Sequence, residues 1–260
     1  MTINELKYYK KLHQKKFREL ENKFLIEGAH LVDECLRSEI YSRHIEVVIL
    51  RKDFKLGTNL ENKLNTLRIK SVILDAPRFE QLSETVSSQG IMAVVSIPHQ
   101  NEIDLNSTKW IVALDNIRDP GNAGTIFRTC YWFGIYNVIL SSDSVDLYNP
   151  KLIRASQGAV FHIRINENAD LENTLKELHR SGSKILLADI EADRTVNETG
   201  YSKDSRYTFV FGNEGDGISE RILNNENFDR VKISSFSGCE SLNVSVAAGI
   251  ILYDACNRNT

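Results

Sequence analysis

Apolar and polar positions alternate along the chain in short runs, each with its own period. In residues 24–38, "FLIEGAHLVDECLRS", an apolar run breaks at Gly28 and resumes at helical spacing. That predicts a strand end, a glycine turn and an amphipathic helix. "IEVVIL" (45–50) is a β-branched strand, "RIKSVILDAP" (68–77) contains another, and "FEQLSET" begins a short helix. "GIMAVVSIP" (90–98) is a third clear strand, stopped by Pro98. The polar, aperiodic "HQNEIDLNSTK" that follows reads as a linker at 99–108, between a domain over 1–98 and another over 109–260.

Beyond the linker, strand and helix alternate with short connections. "WIVALD" (110–115) is a continuous apolar run, as expected of a strand buried on both faces. A Pro-Gly loop, an apolar helix "GTIFRTCYWFG" and the strand "YNVIL" come next. A helix near 150–160 and a second, "LENTLKELHRSG", precede the strand "KILLADI". "YTFVFG" leads into the loop "NEGDGIS", a helix "ERILN", a strand "RVKIS" and a last, almost wholly apolar helix within "SLNVSVAAGIILYDA". Such alternation predicts an α/β fold with a mostly parallel sheet covered on both faces. No internal repeat or low-complexity tract interrupts it.

Composition narrows the class. With 260 residues, 42% of them hydrophobic, the chain has room for one large domain or two small ones. No apolar run approaches the ~20 residues of a membrane span, and the basic start "MTINELKYYKKLHQKKFREL" lacks the apolar core of a secretory signal. Cys35, Cys130, Cys239 and Cys256 are far apart. That spacing argues against a zinc site or a disulfide framework and for a reducing cytoplasm, with no metal expected.

Charge is unevenly spread. The formal net charge is −3, yet residues 1–98 hold 16 Lys/Arg against 13 Asp/Glu, and the remainder 16 against 22. The first 23 residues hold Lys7, Lys10, Lys11, Lys15, Lys16, Arg18 and Lys23, with Tyr8, Tyr9 and Phe17 between them. Such an arm is either a solvated helix face or a surface that tracks RNA phosphates; on the second reading Lys10, Lys11, Lys15 and Lys16 bind RNA.

Ligands of open α/β sheets bind outside the carboxyl ends of the strands, and three loops there carry polar residues. In "LDNIRDPGNAGTIFRT" (114–129), Pro120 presets its φ, Gly121 allows a positive one, and Asn122 is expected at the helix cap. Arg128 falls about 40° from Gly124, one turn on, and leans back toward the helix start. A cation there suits either a surface ion pair or an anion at the helix N-terminus, of which RNA phosphate is one. "FVFGNEGDGIS" (209–219) exposes backbone groups but matches neither a P-loop nor a dinucleotide fingerprint. Its Glu214 and Asp216 suit a cationic or hydroxyl-rich ligand better than a phosphate. In "VKISSFSGCESLNVSVAAG" (231–249), Glu240, Ser241 and Asn243 crowd the start of the last helix, where capping alone needs one of them.

Together these three segments resemble the SpoU/TrmH family of SPOUT RNA methyltransferases. The first carries that family's N-x-G with an arginine four residues on (Asn122, Gly124, Arg128). The second carries its G-x-E-G-x-G (Gly212, Glu214, Gly215, Gly217), and the third its S-L-N-V (Ser241 to Val244). "FLIEGAHLVDECL" and "QGIMAVVSIP" look like the family's L30e-like RNA substrate-binding domain.

The resemblance implies a sheet of five or six strands with a C-terminal trefoil knot, dimeric through the knot region. It implies S-adenosylmethionine-dependent methylation of a ribose 2′-hydroxyl in structured RNA, with 23S ribosomal RNA favoured and transfer RNA the alternative. Asn122, Arg128, Glu214, Ser241 and Asn243 match catalytic positions; Gly212, Glu214, Gly217, Ile233 and Leu242 match cofactor-binding ones. The family's Arg acts with an RNA phosphate, which for Arg128 fits orientation and charge stabilisation better than proton abstraction, because guanidinium holds its protons tightly. One departure is Ile233-Ser234-Ser235, where the family has Ile-Pro-Met. Competing readings are a catalytically silent RNA-binding or ribosome-assembly protein of the same fold and a nucleotide-binding α/β enzyme of other chemistry.

Overall fold

The computed structural model of the chain describes residues 1–85, 87–99 and 108–258. Most of the expected linker, 100–107, lies outside the described residues. The structure forms two compact units, one of Met1–His99 with Tyr148–His162, the other of the described parts of Gln100–Leu147 and Ile163–Thr260.

In the first unit the basic arm folds as two helices, α1 (Ile3–Lys11) and α2 (Lys15–Glu21). A capping box starts α1: Thr2 Oγ1 accepts the Glu5 N–H at 3.2 Å, and the Thr2 N–H donates to Glu5 Oε2 at 2.6 Å. Then follow β1 (Lys23–Glu27), α3 (Ala29–Arg37), β2 (Ile45–Arg51), α4 (Thr58–Thr66), β3 (Lys70–Leu74), α5 (Ala76–Glu80) and β4 (Ile91–Ser96). The sheet order is β1-β4-β2-β3, with β4 antiparallel to both its neighbours and β2 parallel to β3. The turn between β1 and α3 needs Gly28, whose φ is +110°. The short helix near 79 starts earlier than expected, at Ala76, because Asp75 caps it and Pro77 sits in its first turn.

The second unit opens with β5 (Trp110–Leu114), α6 (Pro120–Trp132) and β6 (Asn137–Ser141). The chain then enters the first unit as α7 (Pro150–Ser156) and a 3₁₀ turn at Ala159–Phe161. It returns as β7 (Arg164–Ala169), α8 (Leu171–Arg180), β8 (Ser183–Ala188), β9 (Arg206–Phe211), α9 (Glu220–Leu223), β10 (Asp229–Val231) and α10 (Val244–Arg258). Sheet order is β10-β8-β9-β5-β6-β7, and every pair is parallel. The expected mostly parallel α/β fold is therefore present, with six strands. One face of the sheet packs Ile111, Ala113, Ile139, Ile185, Leu187 and Val210 against Leu171, Leu175 and Leu178 of α8 and Ile222 of α9. Elsewhere α6 packs against α10.

Residues 148–162 are bound into the first unit by aromatic and polar contacts. Phe24 lies 4.6 Å from Tyr148, and Tyr41 5.3 Å from Phe161, between ring centroids. Ser38 Oγ donates to the Phe161 carbonyl at 2.5 Å and accepts the N–H groups of Ile40 and Tyr41. His162 pairs with Glu34 at 2.8 Å. Gly158, at φ +84°, lies so close to α3 that an added Cβ would sit 2.7 Å from Glu34 Cβ.

Candidate active site

The polar loops converge at the carboxyl ends of β5 and β9. Past β5, buried Asp115 donates its N–H to the Phe211 carbonyl at 2.8 Å and accepts the Ser219 N–H on Oδ2 at 2.8 Å, tying β5 to both ends of the 212–218 loop. Asn116 adopts φ +57°, and its carbonyl accepts from Asn213 Nδ2 at 2.9 Å. The start of α6 differs from expectation. Its cap is Asp119, whose Oδ1 accepts the Asn122 N–H at 2.9 Å; Pro120 and Gly121 are already helical, and Gly121 has no positive φ. Proline is favoured at the first helical position because its missing N–H is one the helix leaves unpaired anyway. Asn122 thus lies inside the first turn, with its side chain released from capping.

Backbone crowding shapes the loop after β9. Gly217 has φ +69°, and Asn213 and Gly217 exchange both N–H···O bonds at 2.9 Å. A Cβ on Gly212 would fall 2.2 Å from the Gly217 carbonyl carbon, so only glycine fits. Asn213, which the sequence pattern leaves as an unspecified position, organises this loop. Besides holding Asn116, its Oδ1 accepts the N–H groups of Gly215 at 2.8 Å and Asp216 at 3.3 Å. An Asn directly before a glycine-rich turn is a known Asx-turn signal and would have pointed to it.

Held this way, Glu214 accepts from Asn122 Nδ2, and Asn122 Oδ1 accepts from Asn243 Nδ2 at 3.0 Å. Asn243 Oδ1 in turn accepts from the N–H and hydroxyl of Ser245 at 2.9 and 2.6 Å. The chain Glu214–Asn122–Asn243 therefore joins all three sequence segments in one hydrogen-bonded line. Asn243 is also the cap of α10, since its carbonyl accepts the N–H groups of Val246 and Ala247. The crowding before the last helix has a divided explanation: Asn243 caps, while Glu240 and Ser241 lie outside the helix.

Glu240 and Ser241 instead line a cavity of about 700 Å³, a size suited to a cofactor. Its walls come from residues 188–191, Thr195, 231–237, 239–242, Ala247 and Ile251. Ile233 and Leu242 are among the lining residues; Gly212, Glu214 and Gly217 are not. Three carboxylates, Asp189, Glu191 and Glu240, face an interior with Lys232 as the basic side chain; Asp189 is already paired with Arg230. Ser234 and Ser235, at the departure from Ile-Pro-Met, are part of the wall.

Arg128 is exposed on α6, and among the described residues its side chain has no hydrogen-bond or ion-pair partner. The surface-ion-pair reading of it is thus without support. Lys10, Lys11, Lys15 and Lys16 are all exposed in the first unit; Lys11 lies over the Phe17 ring at 5.2 Å, and Lys15 pairs with Glu19 at 3.6 Å. Arg18 differs from the rest of the arm. It is buried, and its guanidinium donates to the carbonyls of Leu12 and His13 at 2.9 and 2.6 Å, closing the turn between α1 and α2.

Residues 109–253 match the SpoU rRNA Methylase family, and residues 4–93 match the MRM3-like substrate binding domain. The 23S rRNA (guanosine(2553)-2′-O)-methyltransferase RlmP of Bacillus subtilis is 31% identical over 249 residues, 96% of this chain and 94% of that protein. A candidate RNA methyltransferase of the TrmH family from Porphyromonas gingivalis has the same fold with a TM-score of 0.84, at 27% identity over 100% of this chain and 99% of that one. An AdoMet-bound rRNA methyltransferase from Sinorhizobium meliloti is alike in fold, with a TM-score of 0.84, 23% identity, and coverage of 99% and 95%. With the family match spanning the whole six-stranded sheet and all three site segments, the chain belongs to the SpoU rRNA methylase family.

Proposed function

We propose that this chain methylates a ribose 2′-hydroxyl of 23S ribosomal RNA with S-adenosylmethionine as donor. The observation that carries the reading is the Glu214–Asn122–Asn243 line, which ends beside a cavity edged by Ser241. The residues present fit the cofactor: Glu191 and Glu240 complement its cationic groups, and Ile190, Phe236 and Leu242 supply apolar surface for an adenine ring. The full-length likeness to RlmP supports the RNA substrate.

When bound, the cofactor supplies an electrophilic methyl group on a sulfonium. The protein has to place the ribose oxygen in line with it and accommodate the hydroxyl proton. Asn122 is tied into the protein at both ends of its amide, the nitrogen donating to Glu214 and the oxygen accepting from Asn243. Its role is to hold Asn243 and the Glu214 loop in register. Ser241 is better placed to touch substrate: it lines the cavity, and its hydroxyl makes no hydrogen bond to another described residue. Arg128, without a partner among the described residues, takes an RNA phosphate and so fixes the orientation of the ribose.

The same reading includes the trefoil knot, an L30e-like first unit, and a homodimer. Dimerisation is supported by apolar side chains facing outward from α6 and α10, where Trp132 is 83% exposed and Tyr253 58%. Four free thiols fit a reducing cytoplasm.

The test is radiolabelled methyl transfer from S-adenosylmethionine to RNA and ribosomal particles lacking the modification, followed by nuclease mapping. Label on a 2′-oxygen of 23S RNA is the expected result. Label on transfer RNA would move the substrate class, and cofactor binding without transfer to either RNA or particles would favour the silent RNA-binding reading. Arg128→Ala is expected to lower transfer at least about 100-fold while leaving cofactor affinity within about twofold, since it is absent from the cavity wall. Equal loss of both would remove the assigned role.

A further inference from the structure

Among the described residues, the strap that walls the cavity, residues 232–243, is hydrogen-bonded to the rest of the chain at its two ends. At one end the Lys232 N–H donates to the Arg194 carbonyl, and the Val196 N–H donates to the Lys232 carbonyl, each at 2.9 Å. At the other, Asn243 caps α10 and holds Asn122. Between them the hydrogen bonds stay inside the strap. Ser235 Oγ donates to the Ser237 carbonyl, the Cys239 N–H donates to Ser237 Oγ, and Cys239 Sγ donates to the Ser241 carbonyl. Among the described residues, none from 234–241 leaves the segment. Three serines and a glycine surround Phe236, and no proline restricts the strap.

Phe236 is 99% exposed, the most exposed of the large apolar side chains among the described residues, and it lines the cavity. Two further exposed apolar side chains, Ile190 at 61% and Leu242 at 48%, line the same cavity from other segments. Scattered apolar residues on a surface need no explanation, but three around one concave site mark a ligand with an apolar face.

We propose that Phe236 closes onto this cavity and stacks on the adenine ring of S-adenosylmethionine, with Ile190 and Leu242 against the ring's remaining apolar edges. The inference rests on reading the cavity as the cofactor site. A planar heteroaromatic ring offers Phe236 the offset-stacked contact that aromatic pairs favour, and it removes the phenyl ring from water. An RNA base could offer Phe236 the same face, but would leave Ile190 and Leu242 uncovered inside a small-molecule-sized space. Phe236 is thus a specificity residue for the adenine half of the donor and supplies nothing to the methyl transfer itself.

Calorimetric titration of the full chain with S-adenosylmethionine, and with 5′-methylthioadenosine, which keeps the adenine but not the amino-acid end, tests this. Phe236→Ala should bind both about tenfold more weakly, and Phe236→Trp should bind both within about threefold of the wild type. The melting temperature without ligand should not change, because the side chain is exposed. Wild-type binding with an equally tight Phe236→Ala overturns the inference alone. So does an effect confined to the KM for RNA, which would put Phe236 on a base, or one confined to dimerisation, which would put it against a second copy. A wild-type chain that binds neither compound overturns the cofactor reading and this inference with it.

Discussion

At the scale of single residues, the loop after β9 is the least forgiving place in the molecule. A methyl group on Gly212 would fall far inside van der Waals contact with Gly217 backbone atoms, with 2.2 Å to its carbonyl carbon and 2.3 Å to its oxygen. Neither neighbour is a side chain that could swing aside. Gly212→Ala should therefore cost about 1–3 kcal/mol in chemical denaturation and disconnect Glu214 from Asn122. A melting curve and activity equal to the wild type would show that the 212–217 turn tolerates opening. Gly212, Glu214 and Gly217 were readable as a motif through the resemblance, and the two glycines have separate causes: backbone crowding at Gly212 and a φ of +69° at Gly217. Asn213 leaves only the weaker trace of an Asx turn ahead of glycines, and its bond to Asn116 exists only once β5 and β9 are neighbours. The misplaced cap of α6 has a simpler cause: Asn122 is a good capping residue, but Asp119 followed by Pro120 is the stronger local signal.

At the scale of elements, α1 and α2 present Lys10, Lys11, Lys15 and Lys16 to solvent, while Arg18 turns inward to close the corner between them. Neutralising those four lysines should weaken RNA binding and reduce the slope of log K against log salt by up to about 3, as lost phosphate contacts require. An unchanged slope would reduce the arm to a solvated face. Including Arg18 in the substitution would be a poor test, because it would unmake the α1–α2 corner instead. Strands buried on both faces, such as β5 and β9, were legible from their unbroken apolar runs. The elements that were not are those with little to bury. β7, "RINENA", lies at the edge of its sheet, and α4 has Leu64 as its buried anchor. Tertiary position rather than local pattern decides such segments. The last helix was legible as apolar, yet its true start at Val244 depends on Asn243 satisfying the first turn.

At the scale of the whole molecule, chain order and spatial order differ. Two contiguous domains separated by 99–108 were a natural reading of composition, and nothing in "NPKLIRASQGAVFHI" announces that α7 and Phe161 complete a core begun at Phe24. A variant starting at residue 108 would leave Tyr148, Leu152, Val160 and Phe161, all buried in the full chain, without Phe24, Tyr41 and Ser38. It should melt at lower temperature than the full chain and aggregate on concentration, as measured by calorimetry and light scattering. A soluble fragment melting as high as the full chain would show that 148–162 packs adequately without them.

The same interleaving bears on how the protein is made. The first unit's last strand ends at Ser96, but Phe161 leaves the ribosome about 65 residues later, and at ~5–20 residues per second that is roughly 3–13 s of translation. For that interval the nascent sheet carries an open aromatic pocket around Phe24 and Tyr41, a surface that a ribosome-associated chaperone would meet before the chain's own α7 does.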